Sequence, residues 1–258
     1  MIKRGGKRVN NKGQVTIFII VAILIVVAAV LVYFLYPKIK TTTSSSSSSG
    51  FIQSCMGDEL KEVAETISLQ GGDFKPELYS SYNNNEISYL CYTNEYYKKC
   101  VVQEPLLKDS MEKEIKNAIN EKVTSCFDTL EKDSKSKGYE VSLERKDYNI
   151  EIQPKKIVLT IDYPLILSKG SSNKYEEFQV TTESNLYNLI LIANRIVEWE
   201  VQYGDADITS YMNYYSWLKA EKIRKTDGAK IYILTDRDSK DKFQFASRSM
   251  VVAPGYSQ

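Results

Sequence analysis

The four cysteines, Cys55, Cys91, Cys100 and Cys126, are the residues of this sequence with the most evident chemistry. An even number of cysteines is typical of disulfides formed in an oxidising compartment, and four cysteines can pair in three ways. The alternative is a four-cysteine zinc site, whose ligands normally come in Cys-x2-Cys pairs. Because the spacings of 36, 9 and 26 residues contain no such pair, the sequence predicts two disulfides and no metal.

A predicted β-hairpin decides how the cysteines pair. Strands over residues 86–92 and 97–103 flank a turn at residues 93–96, which places Cys91 directly opposite Cys100. Opposed Cα atoms of an antiparallel pair lie about 4.5–5.5 Å apart, within the range of a disulfide. The remaining disulfide then joins Cys55 to Cys126.

No other residues form a convincing catalytic group. The sequence has no histidine, which excludes Ser-His-Asp triads and His-ligated zinc. Ser110 and Lys113 match the Ser-x-x-Lys pattern of some acyl-transfer enzymes, but the elements that accompany this pattern are missing. Glycine-rich phosphate loops are missing too, so we predict no cofactor and no enzyme.

Two groups of aspartates could in principle form a calcium site or an acid/base pair. Asp236, Asp238 and Asp241 partly match a calcium loop, but a lysine holds the third ligand position and the required glycine and final glutamate are absent. This segment is predicted to be a hairpin turn. Asp205 and Asp207 lack neighbours that would give the two carboxylates different pKa values, as acid/base catalysis by a carboxylate pair requires.

Tyrosine is in excess, with 19 residues concentrated in two segments. Tyr and Trp side chains offer a large contact area at a small cost in conformational entropy, which suits a recognition surface. Packing in strands and in the core is the alternative, because both also favour tyrosine. The candidate binding residues are Tyr79, Tyr82, Tyr96, Tyr97, Tyr211, Tyr214, Tyr215 and Trp217.

The elements that position these residues follow an α+β order. Apolar spacing predicts helices over about 51–70, from Pro105 through Leu130, and over about 185–203. Alternating segments near 139–143, 148–152 and 157–163 predict an antiparallel meander, and 177–182 predicts a further strand. A last hairpin joins 230–235 to 243–252. We therefore expect about three helices packed on an antiparallel meander.

The charge of the chain is balanced overall but uneven along it. There are 34 Lys+Arg and 33 Asp+Glu, which excludes nucleic-acid binding through bulk positive charge. Five basic residues lie within residues 1–13, whereas residues 51–258 contain 27 basic and 33 acidic residues. The larger part of the chain is therefore mildly acidic.

The amino-terminal segment predicts a membrane anchor. Residues 15–36 are 22 residues without a charge, enough for a helix of about 33 Å that crosses a bilayer. The basic residues before it place the amino terminus in the cytoplasm. We expect a basic leader (1–13), a transmembrane helix in the lipid bilayer (14–36), a flexible Ser/Thr-rich linker (37–50) and an extracytoplasmic domain (51–258).

The junction Lys12-Gly13-Gln14 before the apolar run resembles the class III signal of archaeal type IV pilin-like proteins. That resemblance implies cleavage between Gly13 and Gln14 by a prepilin peptidase; an uncleaved signal anchor is the alternative. The whole chain resembles a family of membrane-anchored pilin-like surface proteins of small-genome archaea. The similar segments are KGQVTIFII at 12–20, FIQSC and ISLQGG within 51–72, TSCFD at 124–128, LTIDYPL at 159–165, and IYILTD and FQFA within 231–246.

Three functions remain open at this point. The favoured one is a single-span cell-surface protein whose disulfide-linked outer domain binds or adheres to a surface ligand that the sequence does not identify. A pilin-like subunit that self-assembles into a filament through residues 14–36 is the first alternative, although the large outer domain and the Ser/Thr linker weaken it. An extracytoplasmic enzyme is the second alternative.

Overall fold

The structure is a computed structural model that describes residues 21–27 and 47–253. The chain divides into two compact units, Met1–Ser45 and Ser46–Gln258. Most of the predicted transmembrane segment, the leader with its Lys12-Gly13-Gln14 junction and most of the linker lie outside the described residues. Within the predicted span, residues 21–27 are helical. Among the described residues, none forms a helix that combines the length and the apolar character needed to cross a membrane.

Helix α1 (Ser48–Leu69) begins the second unit. The Ser47 side chain caps it by accepting a hydrogen bond from Gly50 N–H at 3.3 Å. Residues 48–50, which the sequence assigns to the end of the linker, belong to this helix. The helix ends before Gly71 and Gly72, whose φ angles are both positive.

Four further helices belong to this unit: α2 (Leu107–Ala118), α3 (Asn120–Ser136), α4 (Leu186–Tyr203) and α5 (Ile208–Tyr214). The single long helix predicted from Pro105 is interrupted at Ile119, which is fully buried. Helix α4 matches its predicted range and ends at Gly204 in the left-handed conformation. Helix α5, which Asp207 caps, was missed.

Within residues 47–253, twelve strands form three sheets. The strands are β1 (Tyr79–Tyr82), β2 (Asn85–Tyr92), β3 (Val101–Val102), β4 (Glu140–Leu143), β5 (Asp147–Gln153), β6 (Lys156–Asp162), β7 (Leu165–Lys169), β8 (Ser171–Tyr175), β9 (Phe178–Glu183), β10 (Leu218–Arg224), β11 (Lys230–Asp236) and β12 (Lys242–Arg248). The largest sheet has the order β1-β2-β12-β11-β10, with β3 added beside β2. Only the β2–β12 pair is parallel among the described strands.

The α+β class is confirmed, but the prediction of one meander is wrong. Strand β4 pairs with β7 in the sheet β4-β7-β8, whereas β5 pairs with β6 in the sheet β5-β6-β9. The chain leaves the first sheet between β4 and β5, where Arg145 forms ion pairs with Asp128 and Glu131 of α3. Alternation along each strand indicated strands correctly, but it carries no information about which strands become neighbours.

The structure forms both predicted disulfides, although the hairpin that suggested one of them differs from prediction. Cys55 is bonded to Cys126 across α1 and α3, and Cys91 is bonded to Cys100 with a Cα–Cα distance of 5.4 Å. The strand partner of Cys91 is Val102, two residues beyond Cys100. The predicted register is therefore wrong, and β3 is only two residues long.

Strand β2 instead forms a tight hairpin with β1, which sequence analysis missed. The turn is Asn83-Asn84, and both residues have positive φ, 48° and 64°. Two central residues with positive φ define the type I′ turn, which suits the twist of a hairpin and favours asparagine. This hairpin carries Tyr79, Tyr82, Tyr89 and Tyr92.

Candidate functional site

The six-stranded sheet has two different hydrophobic faces. Side chains alternate along a strand, so β11 directs Tyr232 and Leu234 into the main core and Ile231 to the opposite face. On that outer face, a separate cluster of buried residues consists of Ile87, Tyr89, Ala229, Ile231 and Ala246. The candidate site lies beside this outer cluster.

The sheet curls around the outer cluster. Strands β1 and β10 are at opposite edges of the sheet. Nevertheless, Lys225, directly after β10, donates hydrogen bonds to Ser80 Oγ at 2.9 Å and to Ser81 O at 3.1 Å in β1. The two edges are thereby held together, which leaves the outer cluster with an open end.

A groove of about 410 Å³ lies at this end, and we call it the tyrosine groove. Tyr89 and Tyr92 line it and lie against each other, with ring centroids 4.9 Å apart and the ring planes inclined by 60°. Tyr79 and Tyr96 flank it and are 41% and 46% exposed. The exposed rings of Tyr79 and Tyr96, beside the buried Tyr89, give a surface on which planar or apolar groups can stack.

Arg248 is the fixed cation of the tyrosine groove. Its guanidinium lies 5.7 Å from the centroid of the Tyr96 ring and donates hydrogen bonds to the carbonyls of Thr93 and Asp227. These contacts hold the loop after β2 against the turn between β10 and β11. The groove is therefore preformed, because its walls come from three segments that one side chain connects.

Two of the groove phenols, Tyr79 and Tyr89, have pKa values above the ordinary value of tyrosine. Burial raises the pKa of Tyr89, and a hydrogen bond to Glu86 raises the pKa of Tyr79. The groove also contains Asp227 and Asn94. It can therefore stack, donate and accept hydrogen bonds, but it presents no nucleophile with an adjacent base.

Of the predicted residues near this hairpin, Tyr79 and Tyr96 enter the groove and two others support it. Tyr82 packs against the outer cluster. Tyr97 has a positive φ of 58°, and its N–H donates to Val251 O at 2.8 Å. Because Val251 lines the groove, Tyr97 positions one wall of it.

The second predicted group lies on a different surface. Tyr211, Tyr215 and Trp217 pack against the main core, whereas Tyr214 is 81% exposed. Tyr214 and Trp217 both lie against Tyr215, with centroids 4.7 and 5.7 Å apart. The structure thus splits the predicted binding residues into two separate sets, and only the first lines the tyrosine groove.

A buried polar cluster lies on the inner face of the same sheet. The Glu200 carboxylate accepts hydrogen bonds from Lys230 Nζ at 2.6 Å, from Ser247 Oγ at 2.9 Å and from the hydroxyl of Tyr232. Glu200 is fully buried, and burial together with this carboxylate raises the pKa of Tyr232. These hydrogen bonds join α4 to β11 and β12.

The aspartates considered in the sequence have structural contacts. Asp236 accepts hydrogen bonds from the N–H groups of Asp238 and Ser239, which confirms the predicted hairpin turn. Asp207 caps α5 by accepting from Thr209 N–H at 2.9 Å. Asp205 pairs with Lys222 at 2.9 Å and Arg224 at 2.6 Å.

Sequence analysis missed Arg248 and Asp227 as groove residues. Arg248 reaches Tyr96 only because β12 pairs in parallel with β2, a contact across about 150 residues that no local pattern indicates. A comparison of the chain with protein-family models finds no match, and comparisons with curated proteins and with solved structures find none either. The geometry of the groove is therefore the basis for inferring a function.

Proposed function

We propose that this chain is a single-span cell-surface protein whose second unit binds a ligand outside the cell through the tyrosine groove. The observation that carries the proposal is the groove itself. Four tyrosines and an arginine line about 410 Å³ of open space next to a rigid, buried cluster. Concave, mostly aromatic sites with a few fixed polar groups are typical of ligand binding.

The disulfides and the amino-terminal segment support an external location. Both disulfides lie in the second unit, and disulfides persist in oxidising compartments. The uncharged run of residues 15–36, preceded by basic residues, is long enough to anchor the chain with its carboxy-terminal part outside. The Ser/Thr-rich residues 41–45 then separate the anchor from the binding unit.

A screen of immobilised glycans and peptides with the full chain in nonionic detergent tests the binding function. We expect at least one ligand whose binding falls 10-fold or more in Tyr96→Ala and is unchanged in Tyr214→Ala. Both side chains are exposed, so neither substitution removes buried core area. Ligands that bind equally well to both variants and to the parent chain would contradict a role for the groove.

Protease treatment of intact cells tests the location. An external second unit is digested without permeabilisation, whereas the basic leader is not. A second unit that resists digestion until the membrane is opened would contradict the proposed orientation. Trapping free thiols before denaturation provides an independent measurement, because all four cysteines are expected to be oxidised.

The Lys12-Gly13-Gln14 junction favours a second candidate function, a pilin-like subunit that polymerises through residues 14–36. Intact mass and amino-terminal sequencing of the protein from its own membranes test this candidate. A mature chain that begins at Gln14, together with surface filaments that disappear in Ile20→Lys, would support polymerisation. A chain that retains residues 2–13 would support a signal anchor instead.

A further inference from the structure

A second groove lies next to the tyrosine groove. It has a volume of about 830 Å³, and the two grooves share Leu78 and Tyr89 in their walls. Its residues come from the loop between α1 and β1, from β2 and from α2 and α3. We call it the acidic groove, because its charged residues are Asp73, Glu77, Glu114, Glu121 and a single lysine, Lys75.

The loop that separates the two grooves is fixed at several points. The Ser88 hydroxyl donates to Asp73, and Phe74 N–H donates to Glu114 Oε2 at 3.2 Å. At the other end of the loop, Tyr89 N–H donates to Leu78 O at 3.1 Å. The loop is therefore held at both ends, and Leu78, which lines both grooves, is held with it.

The charges of the acidic groove are not neutralised by neighbours. Within residues 47–253, none of its four carboxylates lies within ion-pair distance of a lysine or an arginine. Glu77 and Glu121 are exposed to solvent. A cationic group in this groove would gain Coulomb energy without displacing an existing partner.

We propose that the ligand of the tyrosine groove is an extended, basic polypeptide segment that lies across both grooves. This inference rests on the proposed binding function. Extended segments in the polyproline II conformation bind in grooves lined by aromatic rings at little entropic cost. The carboxylates of the acidic groove complement the Lys or Arg side chains of the part of the segment that lies there. Two neighbouring grooves favour a linear chain over a compact ligand.

Fluorescence anisotropy with defined peptides tests the proposal on the full chain in nonionic detergent. The probe is a labelled peptide of about 12 residues that repeats Pro-Pro-Arg, and its matched control repeats Pro-Pro-Glu. We expect the basic peptide to bind at least 10-fold more tightly than the acidic one. Raising the salt from about 0.05 to about 0.15 M should weaken the basic peptide several-fold.

Two sets of variants separate the grooves. The double variant Glu77→Gln and Glu121→Gln should weaken the basic peptide about 5- to 10-fold and reduce its salt dependence, and Tyr96→Ala should weaken it about 10-fold. Glu198→Gln, an exposed carboxylate on α4, is the matched control and should change nothing. A circular dichroism spectrum and a melting temperature that match those of the parent chain show that each variant is folded.

The outcomes also distinguish this proposal from the function on which it rests. Equal affinity for the basic and acidic peptides, or no effect of the glutamate variants, would overturn the basic-peptide proposal. A glycan that binds in a Tyr96-dependent manner, with no peptide binding, would overturn it and leave the binding function intact. No ligand of any kind that depends on Tyr96 would overturn both.

Discussion

The two faces of the six-stranded sheet use the same residue types for opposite purposes. On the inner face, Tyr232 and Lys230 surround the Glu200 carboxylate, and all three side chains are buried. On the outer face, Tyr96 and Arg248 form a similar aromatic and charged group that remains open to solvent. Ser247 and Arg248 are consecutive residues of β12. Ser247 nevertheless belongs to the buried inner group and Arg248 to the outer group.

The solvent exposure of the side chains, and not their residue type, separates a stabilising cluster from a binding surface. Buried charges must be fully paired because an unpaired charge in a low-dielectric interior costs several kcal/mol. Exposed aromatic and charged groups keep their capacity for new partners. We therefore expect inner-face substitutions to change the free energy of unfolding and outer-face substitutions to change binding.

The largest effect should come from Glu200→Ala. Removal of this carboxylate leaves Lys230 charged and buried, which should lower the free energy of unfolding by about 3–5 kcal/mol. Glu198→Ala on the same helix breaks an exposed pair with Arg195 and should cost about 1 kcal/mol or less. Urea unfolding followed by circular dichroism measures both, and equal losses would remove the distinction between a buried and an exposed carboxylate.

The double variant Cys91→Ser and Cys100→Ser should change both stability, through the inner face of the sheet, and binding, through the outer face. The disulfide closes a loop with a sequence separation of 9, which contributes about 3 kcal/mol in the chain-entropy model. The loop carries Tyr96 into the groove, and Cys100 N–H donates to Ser249 Oγ on the inner side. We expect both lower stability in urea and weaker binding of groove ligands; unchanged binding would show that Arg248 alone positions the loop.

Tyr232→Phe removes one hydroxyl from the buried cluster on the inner face. The Glu200 carboxylate then loses a buried hydrogen bond, and we expect a loss of about 1–3 kcal/mol. Tyr96→Phe removes an exposed hydroxyl from the outer face and should leave the free energy of unfolding within about 0.5 kcal/mol. Thermal unfolding of the two variants side by side measures the difference in stability. A larger loss in Tyr96→Phe than in Tyr232→Phe would contradict the prediction.

The smallest effect concerns Asp205, at the solvent-exposed end of the inner cluster. Burial alone would raise its pKa, but hydrogen bonds from Lys222 and Arg224 outweigh burial and lower the pKa below its ordinary value. Because the folded-state pKa is the lower one, its contribution is present above about pH 4 and is lost as the pH falls through the folded-state pKa.

Asp205→Asn should therefore cost less than about 1 kcal/mol at pH 7, since the side chain is 44% exposed, and still less at pH 3. Melting temperatures of the variant and the parent chain at the two pH values measure this change. Asp162→Asn, at an exposed position without an ion pair among the described residues, is the control. A difference that grows towards pH 3 would contradict the assignment.

Local patterns in the sequence determined much of this protein. Apolar spacing predicted α1 and α4 to within a few residues, and alternation predicted most of the strands. The predicted hairpin was enough to choose the correct one of three cysteine pairings, although its register was wrong by two residues. These features depend on contacts close in the chain or on the small number of available partners, so a single sequence contains the necessary information.

The tertiary structure alone decided the sheets and the candidate site. The sequence did not indicate that β4 leaves β5 to pair with β7, or that β2 and β12 lie in parallel. It did not separate the buried Tyr232 from the exposed Tyr96, because both are tyrosines in or beside β-structure. Long-range strand pairing brings Arg248 and Asp227 to the tyrosines, and the side-chain period of two then determines which residues face solvent.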